Sequence, residues 1–542
     1  MKKKFLILML AMMSVCTFAG EWQWSVSIKG MVSSETNRNP DAFLWIPPKC
    51  EMVRAVMVGQ HNMSEETLFE MDSFRQKLAD MGVGMIWITP GLDQQWKEET
   101  GVQKAFETMM NDFADVSGYS ELKYVPIIPI GHSAMATYPW NFAAWNPERT
   151  LAIISLHGDA PRTNLCGYGR ENLEWGRTRN IDGIPGLMIE GEYEWWEARV
   201  NPALAFRMKY PDSCISFLCD TGRGHFDVAS QTADYIALFI RKALEWRYPQ
   251  NQNIDSPVAL KKVNIKDGWL AERWWGDKAK RPKAAPYNKY KGDRHDAFWY
   301  FDEEMAMLTE DRYRQHRNKK MQYIGFMQNG ELTGYNSASH VKAALRFLPH
   351  EDGLTFNITP VFTDSLRTEL SDDNTGGRIT MDRVCGPVEV INDTTFRVSF
   401  YRMGMYNPRR TADITLLASN GGDKKYKGTV QELSLKIPYR NTGGKRQYIM
   451  FPGIEDISAG TKEVTLNAVS DCGLPVSYYV KQGPAVVEGN TLKITDIPVR
   501  SKYPVKVTVV AWQYGIGGKV QTAEPVDRDF YISITPQSQQ IR

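Results

Sequence analysis

A chain of 542 residues is too long for one ordinary domain; at roughly 100–200 residues per domain it implies about three, with ample material for a buried core. Its composition is globular, 42% hydrophobic, 24% charged and 11% aromatic. Sixty-five Lys and Arg against sixty-three Asp and Glu leave a formal +2, which argues against a nucleic-acid binder working through bulk charge and against an acid-rich disordered chain.

The chain opens on Met1-Lys-Lys-Lys4 and runs apolar from Phe5 to Val15, the basic and hydrophobic regions of a secretory signal. Thr17-Phe18-Ala19 supplies small residues for cleavage after Ala19, so residues 1–19 are expected to be removed on export to the periplasm, cell surface or medium. No apolar run is long enough to span a bilayer. Six cysteines follow (Cys50, Cys166, Cys214, Cys219, Cys385 and Cys472), an even count that permits disulfides but is too scattered for a dense framework. Buried free thiols fit equally well. Neither a CxxC pair nor HExxH is present, so no metal and no cofactor is expected.

From residue 20 to about 255, apolar runs alternate with helical periods. The strands expected are Trp22–Ile28, Ala42–Ile46, Ala55–Val58, Gly84–Thr89, Tyr124–Ile130, Leu151–Leu156, Gly186–Ile189 and Cys214–Cys219. Helices are expected over Glu65–Met81, Val102–Val116, Ala134–Asn146, Pro202–Lys209 and Asp227–Arg247. Fully apolar strands alternating with helices mean an α/β unit, a mostly parallel sheet with helices on both faces. Residues 256–320 are rich in Trp, Lys and Pro and read as a connector laid over that unit, ending in a helix near Asp302–Lys319. Short β runs with Asn-Gly and Gly-Gly turns then indicate a β-sandwich over 321–458 and a further β unit over 459–542.

The chemistry concentrates in the α/β unit. The apolar strand ending at Ile130 runs directly into Gly131-His132-Ser133-Ala134-Met135, and a serine on such a tight strand-to-helix turn is lifted above the sheet. Strand Gly186–Ile189 leads into Glu190-Gly191-Glu192-Tyr193-Glu194, and Cys214–Cys219 leads into Asp220-Thr-Gly-Arg-Gly224-His225. These segments resemble the α/β-hydrolase superfamily: a nucleophile elbow, a late-strand acid and a histidine after the last strand, in that order. Met135 replaces the final glycine of the usual G-x-S-x-G elbow. The resemblance implies a triad of Ser133, Glu194 and His225, with Glu192 and Asp159 as competing acids and His132 as a rival beside the serine. Such chemistry needs a base to activate the serine, an acid to fix the imidazole, and backbone donors for the oxyanion. The donors expected are the Ala134 N–H and the N–H of Asn62 or His61, on the loop after Ala55–Val58.

The substrate is read from the surroundings. About 230 residues leave no room for a large lid, which suits a polymer. From Asp159 through Arg207 there are six arginines and no lysine. Arg162, Arg170, Arg177 and Arg179 lie on one loop with Trp175, and Arg223 stands just before His225. Arginine binds carboxylates in bidentate fashion, so these residues are expected to face an acidic sugar chain, the alternative being pairing with Glu171, Glu174 and Glu197. The layout is similar to bacterial polysaccharide esterases, in particular α/β-hydrolase-type pectin methylesterases. That resemblance implies methanol release from pectic galacturonate. A carbohydrate acetyl or feruloyl esterase and a non-catalytic glycan-binding protein are the competing readings. Gly473-Leu-Pro-Val-Ser477 and Gly489-Asn-Thr-Leu492 resemble bacterial immunoglobulin-like repeats, and the β units are expected to contribute no catalytic residue.

Overall fold

A computed structural model describes residues 21–163, 173–176, 180–194, 196–278, 280–339 and 341–534. The expected leader (1–19), Cys166, Arg170, Arg177 and Arg179 lie outside the described residues. The α/β alternation resolves into one eight-stranded sheet: β1 (Trp24–Ser27), β2 (Asp41–Trp45), β3 (Ala55–Gln60), β4 (Val83–Thr89), β5 (Ile127–His132), β6 (Ile153–Leu156), β7 (Gly186–Gly191) and β8 (Ile215–Asp220). Their spatial order is β1-β2-β4-β3-β5-β6-β7-β8. The two edge pairings, β1–β2 and β2–β4, are antiparallel, and all others are parallel. The arrangement is α/β-hydrolase-like.

Alternation along each strand assigns side chains to two apolar layers. Phe43, Met57, Met85 and Trp87 face one core, while Leu44, Val58, Ile86 and Ile88 face the other. Helices α1 (Ser64–Glu70), α2 (Asp72–Met81), α3 (Val102–Ser117), α4 (Tyr138–Trp145), α5 (Trp196–Lys209) and α6 (Ser230–Arg247) cover these layers. The single helix expected over Glu65–Met81 is broken at Met71, whose backbone is extended (ψ 113°). The break lets α1 turn its Glu66 and Glu70 away from α2, toward the β half of the chain. Helix α3 shows the sequence logic most plainly. Val102, Phe106, Met109 and Phe113 repeat at helical spacing and are buried, and Gly101 and Gly118 bound it in the left-handed conformation glycine favours.

The connector is part of the same core. Strand Trp269–Glu272 pairs with Ala285–Pro286 and Ala297–Tyr300, and α7 (Glu303–His316) follows, capped by the Asp302 side chain. Trp274, Phe298, Trp299, Tyr300 and Tyr313 are buried with the α/β unit's own apolar residues. The Ser216 hydroxyl donates to Trp299 O at 2.6 Å, and the Tyr300 hydroxyl to Phe217 O at 2.6 Å, tying the connector to β8. Beyond it, strands Ala343–Arg346, Thr380–Cys385, Asp413–Asn420 and Thr429–Lys436 form one sheet, and Phe356, Phe396, Leu416 and Leu433 belong to its core. The last unit has a four-stranded and a three-stranded sheet around Leu492, Val507, Val509 and Phe530. Its Trp512 and Tyr514 insert into the preceding core, so the two β units pack as neighbours. Cys50, Cys214, Cys219, Cys385 and Cys472 are free thiols. No described helix is long and apolar enough to cross a membrane, and no group of metal-ligating side chains occurs among the described residues.

Candidate active site

Three loops at the carboxyl ends of β5, β7 and β8 converge. Ser133 follows β5 directly and is held at φ +51°, a left-handed conformation that non-glycine residues take at a cost. The turn is tight because Gly131 has no side chain: a Cβ there would overlap the Met135 carbonyl. Met135, where the elbow pattern has glycine, fits because its own side chain runs to Gly91, where a Cβ would meet the Met135 methyl. The missing glycine is thus compensated on a neighbouring loop.

The Ser133 hydroxyl lies 2.8 Å from His225 Nε2, and His225 Nδ1 lies 2.5 Å from Glu194 Oε2. The carboxylate fixes the tautomer: Nδ1–H donates to Glu194, leaving the Nε2 lone pair to accept from the serine. Glu194 is brought back under β7 by the turn Gly191–Glu194, and its Oε1 accepts the Gly191 N–H. Arg199 of α5 donates to Glu190 Oε2 at 2.7 Å and reaches Glu194 Oε2 at 3.3 Å. Burial alone would raise the Glu194 pKa, but His157 and His225 beside it hold it well below the usual carboxylate range. Burial pushes His225 down to about 4 against the pull of Glu194, so the imidazole is neutral at neutral pH.

The rivals have other partners. Glu192 Oε1 pairs with Lys427 at 2.8 Å and Oε2 accepts the Gly222 N–H at 2.9 Å. Asp159 Oδ2 accepts from the Thr137 hydroxyl at 3.2 Å. His132 Nε2 donates to the His225 carbonyl at 2.8 Å while Asn62 Nδ2 donates to His132 Nδ1 at 3.2 Å, which makes His132 a neutral brace between the two loops. Burial, followed by the nearby His225 and His157, keeps its pKa well below the ordinary value.

Of the oxyanion donors, the Ala134 N–H stands at the start of the turn after Ser133. The His61 N–H is not available: it donates to Ile88 O at 2.7 Å, extending the sheet past β3. The Met63 N–H donates to Glu65 Oε2 at 2.7 Å. Asn62, between them, is the remaining candidate, and its side-chain amide donates to His132 O at 2.9 Å across the elbow.

The arginine loop departs from expectation where it is described. Trp175 is buried, its indole N–H donating to Asn141 Oδ1 at 2.7 Å and its ring packed edge-on against Phe206, so it belongs to the core and faces no substrate. Arg162 donates to the Tyr210 hydroxyl at 2.8 Å and pairs with Glu174, the pairing weighed as the alternative. Arg223 differs. It pairs with Asp227 at 3.2 Å and, with Phe226 and Asp227, lines a cleft of about 870 Å³ that continues along Asp382, Ser399 and Tyr478 of the β units.

Two features carry no local sequence signal. One is His157, whose Nδ1 lies 2.6 Å from Glu194 Oε1. The other is the grip of the β-sandwich on the loops after β3, β7 and β8 and on α1. Arg410 donates to Asn62 O at 3.0 Å and pairs with Glu35. The Tyr193 hydroxyl donates to Gly428 O at 2.6 Å, and Phe226 packs with Val384, Leu417 and Val430. Glu66 and Glu70 pair with Arg383, and Glu70 also pairs with Arg402. The β-sandwich supplies none of the Ser133–His225–Glu194 chain, yet it packs against the residues next to Glu194 and His225 and holds the Asn62 loop.

No protein-family profile matches the chain, and no curated protein matches it. Solved structures similar to it include the fluorophosphonate-binding serine hydrolase F of Staphylococcus aureus with substrate bound, at 12% identity and TM-score 0.29, covering 42% of this chain and 99% of that one. The esterase Est1E from Butyrivibrio proteoclasticus is similar at 15% identity and TM-score 0.27, covering 41% and 99% respectively. An S-formylglutathione hydrolase from Agrobacterium tumefaciens is similar at 14% identity and TM-score 0.28, covering 41% and 92%.

Proposed function

We propose that this chain is a serine esterase that cleaves a carboxylic ester through an acyl-enzyme. The observation that carries the reading is the continuous chain Ser133 Oγ–His225–Glu194, with the serine on a left-handed elbow. His225 Nε2 takes the serine proton as Oγ adds to the ester carbonyl, and the N–H groups of Ala134 and Asn62 receive the oxyanion. Collapse expels the alcohol, protonated by His225. A water molecule, deprotonated by the same nitrogen, then frees the acid and restores Ser133.

The substrate we propose is an esterified polysaccharide met after export, with methyl-esterified pectic galacturonate as the specific choice. Beside the base loop, an open cleft between the α/β and β units, lined by Arg223, Phe226 and Asp227 and not by Ser133, Glu194 or His225, offers a groove for an extended polymer, and Arg223 is the cationic side chain of the expected set on it. The resemblance to polysaccharide esterases supports the same choice, and the leader-like residues 1–19 support export. The experiment is product analysis on methylated homogalacturonan and on acetylated and feruloylated xylan. Methanol release from the first supports the pectic reading. Acetate or ferulate release alone moves the substrate to the other ester class while leaving the mechanism in place. Failure to hydrolyse any of them or p-nitrophenyl acetate overturns the esterase reading.

A further inference from the structure

Glu194 is shared by two imidazoles, and only one of them faces Ser133. His157 stands at the end of β6, one strand over from the elbow, at φ +47°. Like Ser133, it is a non-glycine residue held in the left-handed region, and such strain persists only where surrounding structure imposes it. Gly158 follows it, and a Cβ there would overlap the Ala136 side chain just past the nucleophile. The end of β6 is shaped to aim an imidazole at the acid while staying clear of the elbow.

The partners of His157 settle where its hydrogens are. Nε2 lies 2.8 Å from the Asp227 carbonyl oxygen, an atom that only accepts, so Nε2 carries hydrogen. Nδ1 lies 2.6 Å from Glu194 Oε1. That oxygen also accepts the Gly191 N–H, while Oε2 accepts from His225 Nδ1 and Arg199. A carboxyl group with donors on both oxygens is ionised, so Nδ1 donates as well. An imidazole that donates from both nitrogens is a cation.

We infer that His157 is a positioning residue held as a standing imidazolium, which keeps Glu194 ionised and oriented and limits how strongly that carboxylate draws a proton onto His225. The inference rests on the reading of Ser133 as nucleophile and His225 as base. A carboxylate bound to His225 alone would raise its proton affinity and idle the enzyme in mild acid; a cation on the opposite oxygen offsets that attraction. The charged and titratable groups around His157 are Glu190 and Glu194 from β7 and its turn, Arg199 from α5 and Asp220 from β8. His225 and Asp227 of the base loop and His132 of the elbow also face it. Burial opposes the charge on His157, but Glu194 outweighs it and raises the pKa to about 9. At His225 burial comes first among the causes of the low pKa, and His157 adds to it.

Two measurements test this. In full-length protein labelled with 15N-histidine, one ring should remain protonated at both nitrogens at pH 8, and its signals should vanish in His157→Gln. Absence of any imidazolium at pH 8 overturns the inference, whether or not that variant folds. In His157→Gln, the acid limb of kcat/KM on p-nitrophenyl acetate should move up by at least one pH unit from about 4, so that activity at pH 4 falls at least about fivefold more than activity at pH 8. KM should change less than kcat. An equal fractional loss at every pH, as a purely structural role gives, also overturns it. Were Ser133→Ala to remain active, the nucleophile reading would fail separately, since the ring signals do not depend on turnover.

Discussion

The α/β unit and the β-sandwich both shape the loops that converge near Ser133, but they do so with different kinds of residue. In the α/β unit every member of the hydrogen-bonded chain sits within a few residues of a strand end, on a turn short enough to be read as a motif. In the β-sandwich the residues that touch the loops beside the site (Arg410, Lys427 and Gly428) are spread along the chain and belong to no motif. The contrast separates two jobs. Chemistry demands particular groups at a fixed spacing, whereas holding a loop in place demands only that some complementary group arrive from outside.

The division can be broken most severely at the elbow. Ser133→Ala and His225→Ala should each lower kcat by about 10⁴-fold or more, and the double variant should be no worse than either, because the two act as a unit. Thermal unfolding of Ser133→Ala should match that of the parent. Glu194→Gln should cost about 10³–10⁴-fold, since the neutral amide offers no charge to the imidazolium that forms at His225. Steady-state kinetics across the three variants gives the ranking.

Glu192→Gln should behave as its opposite: activity within about tenfold, but reduced stability. Lys427, buried beside it, would lose its 2.8 Å partner and keep only Asp277 at 4.0 Å, and breaking such a buried pair costs about 3–5 kcal/mol. Denaturant unfolding with kinetics on the folded fraction distinguishes the two outcomes. Arg410→Ala should reduce kcat by a few-fold by freeing the Asn62 carbonyl, with KM for a small ester little changed. A loss as large as that of Glu194→Gln would show that the β-sandwich does more than hold loops.

The pH dependence sharpens the same comparison. His225 must be unprotonated to accept the serine proton, and its folded pKa is lowered to about 4. Activity should therefore persist through pH 5 and fall about tenfold per unit below about pH 4. His157 moves the other way. With a folded pKa of about 9 against an ordinary value of about 6.5, it contributes stability that is full below about pH 6.5 and is lost as pH rises through about 9. The unfolding midpoint, followed from pH 6 to 10, should decline across that window.

All eight strands of the main sheet overlap the apolar runs of the sequence, because parallel strands buried on both faces leave uninterrupted hydrophobic stretches. Boundaries shifted by a few residues, as at β5, where Tyr124-Val-Pro precedes the strand that begins at Ile127. The break at Met71 was not legible, since its cause is the docking of Glu66 and Glu70 against arginines more than 300 residues away. Ser133, Glu194 and His225 were legible as a set because each follows a strand. Trp175 misled because an aromatic residue among arginines looks the same in sequence whether it faces sugar or fills a core, and Asn141 and Phe206, which decide the matter, come from other elements. His157 also follows a strand, but its meaning depends on Glu194 and Asp227, which only the folded chain brings to its two nitrogens.

The most direct test of the central claim is covalent trapping. Full-length protein treated with a fluorophosphonate ester should gain one phosphonyl group, seen by intact mass, and peptide mapping should place it on Ser133. Hydrolysis of p-nitrophenyl acetate should disappear in proportion to labelling, and Ser133→Ala should take up no label. Labelling at another residue, or full esterase activity in protein fully labelled at Ser133, would contradict the account.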